Sequence, residues 1–383
     1  MADKPTIDPA EDLPGRLQAI PGLEELQTAV GGLPAYLVGG AVRDLLLGEQ
    51  HPDLDVVIEG DVAPVATALG GEVTEHERFQ TAKVRLGELT LDLARARAET
   101  YAQPGALPDV TPAKLEDDLS RRDFTINAMA VPLGGAPELI DPYGGADDLA
   151  EGLLRVLHEG SFSDDPTRAL RAVRYAARFK FDLERETATL VRGADLRTVS
   201  EDRIDAELRR LAGEGDPARA LVLLREWGVL DTPATVVALA GEAIRLLRSA
   251  PWEGIADPGE VLLAALGRGT AGEPVRAAAA TLAEATPERP SQAVQAAAGR
   301  PGAELVLGRA MGAEWLDRFV SEWRNVALEI DGRALMAEGV SEGPDVGKGL
   351  EAALSAKLDG EISGRDEELR VALAAARGEI SEG

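Results

Sequence analysis

The chain has 383 residues, 45% of them hydrophobic and only 4% aromatic, with no cysteine and a formal net charge of −27. The length suggests two or three domains; disulfides and thiolate metal sites are excluded, and three scattered histidines, His51, His76 and His158, make a poor zinc site, so any metal falls to carboxylates and is a hard cation such as Mg²⁺. The acidic balance alone argues against nucleic acid, which leaves a basic footprint, although one basic groove can coexist with acidic surface elsewhere.

Residues 1–30 read as an acidic leader and a short helix. The opening MADKPTIDPAEDLPG lacks the apolar core of a signal peptide, and no stretch approaches a bilayer span, so no membrane partner and a cytoplasmic location are expected. From Tyr36 short apolar runs alternate with glycines and carboxylates. AYLVGG, DLDVVI, TAKVRL, LTLDLA and NAMAVPL have the texture of strands. AVRDLLLG and APVATALGG have that of short helices ending at glycine. Residues 98–118 contain Pro104, Pro108 and Pro112 without clear periodicity and are expected to form a long loop. Beyond about residue 150 the pattern is helical nearly to the end, in DPTRALRAVRYAARF, VSEDRIDAELRRLAGEG and DPARALVLLREWGVL. The whole reads as an α+β head of about 150 residues followed by an α-helical remainder.

The chemistry concentrates in the head. Asp53 and Asp55 alternate along one strand and so share a face, opposite Leu54 and Val56. Two such carboxylates repel unless a cation joins them, and a pair holding Mg²⁺ can bring in a nucleoside triphosphate and activate a hydroxyl. The bland alternative is a solvated strand end. Gly39 and Gly40 sit between a strand and a helix, where backbone N–H groups can approach phosphate, and Arg43 follows in the first helical turn. The alternative there is a glycine turn used for tight packing. Asp92, opposite in parity to Leu89, Leu91 and Leu93, is a third carboxylate for the metal site or the primer hydroxyl, or simply an exposed strand residue. Arg121 and Arg122, before Asp123, are placed to clamp triphosphate oxygens or to form a surface salt-bridge cluster.

Arg168, Arg171, Arg174 and Arg178 are spaced to share one helical face, and no acid interrupts them. Such a stripe needs phosphate or carboxylate to meet it. Asp165 before Pro166 suits a helix N-cap; in a sharper alternative Asp165 and Arg168 offer an acceptor and a donor to the edge of an incoming base.

GGAVRD, DLD, RRDFTINAMA and DDPTRALRAVRYAARF together resemble, in order and spacing, the class II tRNA nucleotidyltransferase and poly(A) polymerase family. IDGRALMAEGVSEGPDVGKGL is similar to that family's C-terminal segment, and residues 230–320 match least well. The resemblance implies an α+β nucleotidyltransferase head (a mixed five-stranded sheet with helices) over 1–155. It further implies an all-α neck with the base-reading helix over 156–215, and a body and tail over 216–383 that hold tRNA. It implies CTP and ATP as substrates, tRNA and not DNA as partner, and Mg²⁺ held by Asp53 and Asp55. Gly40, Arg43 and Arg122 would contact the nucleotide near its phosphates. Asp165 and Arg168 would read the base, with Arg171 and Arg174 contacting the nucleotide from the same helix. The family's EDxxR pattern is here DDPTR, with Asp164 in place of the glutamate.

The implied activity is addition of CCA to the 3′ end of tRNA. Members that add only CC differ around residues 96–118, and the long segment RARAETYAQPGALPD here puts the final A within reach. Partial addition of CC or of A, poly(A) synthesis and a silent RNA-binding protein are the alternatives. Poly(A) enzymes of this family usually carry basic extensions that are not seen here. A phosphohydrolase domain is disfavoured by the lack of a His-Asp pair. Arg209, Arg210, Arg219 and Arg225 are early candidates for a tRNA groove.

Overall fold

The computed structural model describes residues 12–49, 53–76, 80–269 and 272–379; the start of the acidic leader and His51 lie outside them. Where one short helix was expected there are two, α1 (Leu13–Gln18) and α2 (Leu23–Val30). They are parted at Pro21 and at Gly22, whose φ of +75° suits glycine. Then follow β1 (Ala35–Val38), α3 (Gly40–Leu46), β2 (Asp53–Ile58), α4 (Ala63–Leu69), β3 (Glu72–His76), β4 (Thr81–Leu86) and β5 (Leu89–Arg95). Next come β6 (Arg97–Thr100), β7 (Asp109–Pro112), α5 (Leu115–Ser120), β8 (Ala130–Pro132) and α6 (Gly145–Glu151). The helices that follow are α7 (Ser161–Asp164), α8 (Thr167–Phe179), α9 (Arg185–Leu190), α10 (Glu201–Ala212) and α11 (Pro217–Glu226).

The main sheet is mixed and runs β3-β4-β5-β2-β1-β8. Only β2 and β5 pair in parallel; the other neighbours are antiparallel. The α+β architecture is as expected, but the sheet has six strands rather than five. The additional one, β3, lies at an edge and carries a single apolar residue, Val73, which is 39% exposed. Its hydrophobic pattern is too weak to announce a strand. The segment 98–118 is likewise not a plain loop. β6 and β7 form an antiparallel hairpin from Arg97↔Pro112 to Thr100↔Asp109, and α5 follows. No residue of either strand is fully buried, so the alternation that marks most strands is missing.

Along β2 the even residues Leu54, Val56 and Ile58 are buried, while Asp53 and Asp55 are exposed on the other face. That second face is covered only in part. Leu115 and Leu119 of α5 pack with Val57, Val38, Ala96 and Ala130, which leaves the stretch carrying Asp53 and Asp55 open. β5 alternates in the same manner, with Leu89, Leu91 and Leu93 buried and Asp92 half-buried.

The chain divides into two compact units, Met1–Glu207 with Glu214–Asp231, and Leu208–Gly213 with Thr232–Gly383. The second is helical throughout its described residues. In it, Ile330, Leu335, Ala353, Ile362 and Ala372 form one apolar cluster. Beside it the fully buried Glu368 accepts from Lys357 at 2.6 Å and from the Glu329 N–H at 2.7 Å. Among the described residues no helix is long and apolar enough to cross a membrane.

Candidate active site

The parallel pairing of β2 with β5 sets Asp55 opposite Asp92. Antiparallel β4 then sets Lys83 opposite Asp92, and the two form an ion pair at 3.2 Å. Asp53, Asp55 and Asp92 thus lie on one face of two adjacent strands. Asp55, Asp92, Lys83, Arg97, Arg121 and Arg122 line a cleft of about 530 Å³. Among the described residues no side chain donates a hydrogen bond or ion pair to Asp53 or Asp55. The Asp55 carboxyl is pushed above its ordinary range by desolvation; Arg122 and Arg43 oppose the shift, while the charges of Asp92 and Asp53 add to it.

The Gly39–Gly40 turn lies against Asp55. Gly39 has φ +63°, and a Cβ there would stand 2.5 Å from Arg122 Nη1 and 3.4 Å from Asp55 Oδ2. A Cβ on Gly40 would stand 3.8 Å from the same oxygen and 3.4 Å from Arg43 Nη2. Glycine is therefore favoured at Gly39 by its backbone conformation, and a side chain there would also have to displace the Arg122 guanidinium.

The basic wall is built from the inside. Asp118 on α5 is fully buried and divides its oxygens, Oδ1 accepting from Arg121 at 2.7 Å and Oδ2 from Arg122 at 2.9 Å. Burial alone would raise this carboxyl, but the two guanidinium groups outweigh it and hold it below the usual range. Glu99 on β6 binds Arg121 Nη1 and Arg97 Nη2, each at 2.9 Å, and accepts from the Tyr101 hydroxyl at 2.9 Å. Burial and the Glu99 charge push the Tyr101 phenol up to about 12. Lys83, Arg97, Glu99, Tyr101 and Asp118 were not singled out from sequence. The RAETY spacing holds Arg97, Glu99 and Tyr101 at alternate positions and is the signal that could have shown them.

The remaining predicted residues are placed as follows. Arg43 is 4% exposed; it donates to Asn127 Oδ1 at 2.6 Å and to Asp44, and stacks 4.7 Å from the Phe179 ring centroid. Its Nη2 lies beside Gly40, 3.4 Å from where a Cβ would stand. The N-cap of α8 falls on Pro166 rather than on Asp165, one residue later than expected, and Asp165 Oδ1 accepts from the Thr167 N–H at 3.0 Å and its hydroxyl at 2.6 Å. Arg168 is buried and donates to Ser161 Oγ at 2.7 Å and to the Arg121 carbonyl at 2.6 Å.

The arginine stripe of α8 is met by carboxylates, which arrive from other elements. Arg171 pairs with Asp123 at 2.7 Å, Arg174 with Glu214 at 3.0 Å and Glu207 at 3.7 Å, and Arg178 with Asp44 and Glu49 at 3.9 Å each. Of the two partners the stripe allowed, phosphate or carboxylate, the fold supplies carboxylate to Arg171, Arg174 and Arg178. Likewise one His and one Asp do come together, His158 Nε2 and Asp164 Oδ2 at 3.8 Å. Burial and then Arg168 lower the histidine below its ordinary range.

Among the described residues no three or more His, Cys, Asp or Glu side chains are gathered as a metal cage. Two carboxylates with substrate oxygens completing the shell suit Mg²⁺, which is held by one or two carboxylates plus phosphates. The unpartnered Asp53–Asp55 pair and the crowded charge of Asp55 fit such a cation.

This mixed sheet, with its carboxylate pair under a glycine turn, is a nucleotidyltransferase head: residues 35–155 match the family described as poly A polymerase head domain. A CC-adding tRNA nucleotidyltransferase of Deinococcus radiodurans is 36% identical over 358 residues, 88% of this chain and 88% of that protein. An A-adding tRNA nucleotidyltransferase of Halalkalibacterium halodurans is 48% identical over 204 residues, and the chain spans about half (48%) of that relative's length. The structure of the Thermotoga maritima CCA-adding enzyme complexed with tRNA aligns with a TM-score of 0.70 at 30% identity, over 92% of this chain and 93% of that one. The chain belongs to the class II tRNA nucleotidyltransferase and poly(A) polymerase family.

Proposed function

We propose that this protein adds nucleotides from CTP and ATP to the 3′ end of tRNA without a nucleic-acid template, completing CCA and releasing pyrophosphate. The observation that carries this is the open Asp53–Asp55 pair beneath the Gly39–Gly40 turn, on a chain whose relatives add nucleotides to tRNA. Asp53 and Asp55 would hold Mg²⁺, which when bound supplies charge neutralisation and lowers the pKa of the attacking 3′-hydroxyl. Gly39 and Gly40 leave room for the triphosphate. Arg122, oriented by Asp118, stabilises charge that develops on its oxygens, and Arg43 adds positive charge from below the turn. Asp92 stands beside the reacting hydroxyl, with Lys83 holding its carboxylate. Asp165 and Arg168 read the base edge, and Arg171 and Arg174 contribute positive potential from within their ion pairs. For tRNA, the exposed Arg209, Arg210, Arg219 and Arg225 supply phosphate contacts.

Addition of A alone is a second reading, favoured by the 48% identity to an A-adding enzyme. Three tRNA transcripts, ending at the discriminator base, after CC and after CCA, distinguish the outcomes with labelled CTP, ATP and Mg²⁺. CCA addition is expected on the first transcript and none on the third. Extension of only the second identifies an A-adding enzyme, CC on the first identifies a CC-adding one, and long A tails identify a poly(A) polymerase. No incorporation into any transcript overturns the catalytic reading.

A further inference from the structure

Among the described residues three donors reach the Asp165 carboxylate, and all converge on one oxygen. Thr167 contributes its N–H and its hydroxyl to Oδ1, and Arg203 Nη2 donates to the same atom at 2.9 Å. Among the described residues none donates to Oδ2. Arg203 comes from α10, 38 residues away in sequence, and its other nitrogen Nη1 donates to the Gly105 carbonyl at 2.9 Å. Gly105 belongs to the turn between β6 and β7. Its own N–H donates to the Ser163 carbonyl at 3.2 Å. With φ +72°, it lies so close to Thr198 that a Cβ would stand 2.6 Å from the Thr198 carbonyl oxygen. One guanidinium fork thus ties together the hairpin turn, α10 and the carboxylate at the start of α8.

We infer that Arg203 is a positioning residue for nucleotide choice: by holding Asp165 Oδ1 it leaves Oδ2 as the single acceptor presented to the base. This role rests on the base reading proposed above for Asp165. Cytosine and adenine both offer an exocyclic amine donor, at N4 and N6, whereas the corresponding position of uracil and guanine is a carbonyl acceptor. A fixed carboxylate oxygen accepts from the first pair and repels the second. A carboxylate free to rotate, or drawn away from its place, would lose that distinction. Arginine suits the task because its planar fork reaches two acceptors at once, Asp165 and Gly105, which a lysine ammonium on a flexible stem does not reproduce.

The test compares the wild type with Arg203→Gln, Arg203→Lys, Asp165→Ala and the Arg203→Gln/Asp165→Ala double variant, by single-turnover incorporation of CTP, ATP and UTP into tRNA. Arg203→Gln is expected to erode the preference for CTP over UTP by about tenfold or more, chiefly through KM, with a far smaller loss in the maximal rate with CTP. Arg203→Lys should fall between it and the wild type. In the Asp165→Ala background Arg203→Gln should change selectivity no further. Unchanged selectivity in Arg203→Gln, or in Arg203→Lys should the first variant not fold, overturns the inference, as does an equal loss of rate with all three nucleotides. A wild type that incorporates neither CMP nor AMP would instead overturn the catalytic reading beneath it.

Discussion

Two places in the first unit gather charge of one sign, and the protein treats them in opposite ways. On β2, Asp53 and Asp55 stand on the open face with no cationic side chain among the described residues bound to them, and the charge of neighbouring Asp92 on β5 adds to the repulsion. On α8, Arg171, Arg174 and Arg178 each meet a carboxylate brought from elsewhere in the chain. In both stretches the regular spacing of like charges allowed a functional reading beside a structural one. Compensation is what separates them: the arginines are paired directly within the fold, whereas among the described residues Asp53 and Asp55 bind no cation, and Asp55 feels Arg122 and Arg43 only through their charge. An uncompensated cluster lowers stability and persists where it serves binding or catalysis.

The comparison breaks most sharply if the two places respond alike to mutation. Asp55→Asn should lower nucleotide incorporation by about a thousandfold or more. Its thermal midpoint should stay level or rise, because a crowded charge is removed. A variant that unfolds would make Asp55 a structural residue. Arg171→Met should do the reverse and destabilise the protein by about 3 kcal/mol or more in denaturant titration, since it strands the buried Asp123 carboxylate. A change below about 1 kcal/mol would show that this pair is not structural.

Acid titration sharpens the same contrast. Burial alone would raise Asp123, but Arg171 and Asn127 hold its carboxyl at about 2, from a usual 3.8. A carboxyl lowered in the folded state adds stability that is fully present above the unfolded value. That stability fades as pH falls from near 4 through about 2, here by about 2 kcal/mol. In Asp123→Asn this part of the acid limb should vanish; an unaltered limb would remove the assignment. The smallest effect is expected at Gly39→Ala. Left-handed backbone and contact with Arg122 should destabilise it by about 1–2 kcal/mol, with KM for the nucleotide raised several-fold and little change in KM for tRNA.

The sequence was most legible where local pattern carries the structure. Alternation along DLDVVI and LTLDLA reported which residues of β2 and β5 face the core, and the Gly39–Gly40 turn showed in its composition. What stayed hidden depends on distant partners. Asp118 orients Arg121 and Arg122 from within a six-residue helix that has no clear periodicity, and Arg203 reaches Asp165 across 38 residues. The acids facing α8 come from α3, α10 and the segments holding Glu49, Asp123 and Glu214, so the helix alone could not tell phosphate from carboxylate as the partner of its stripe. β3 and the β6–β7 hairpin were missed because none of their described side chains is fully buried, and burial is what writes a strand into a sequence.

The pairing of Asp55 with Asp92 has a consequence for the kinds of sequence change the protein can survive. Side chains on a strand alternate strictly, so the insertion or deletion of a single residue inside β5 would reverse the facing of every residue beyond it, turning Asp92 inward or bringing Leu93 out beside the carboxylates. One such change would spoil the apolar core and the carboxylate face at the same stroke. The turn at Gly87 and Glu88, by contrast, can vary in length without altering which residues of β5 face which way, provided the strand keeps its register with β2. Length variation among descendants of this chain should therefore collect at the turns of the sheet, while β5 changes by substitution alone.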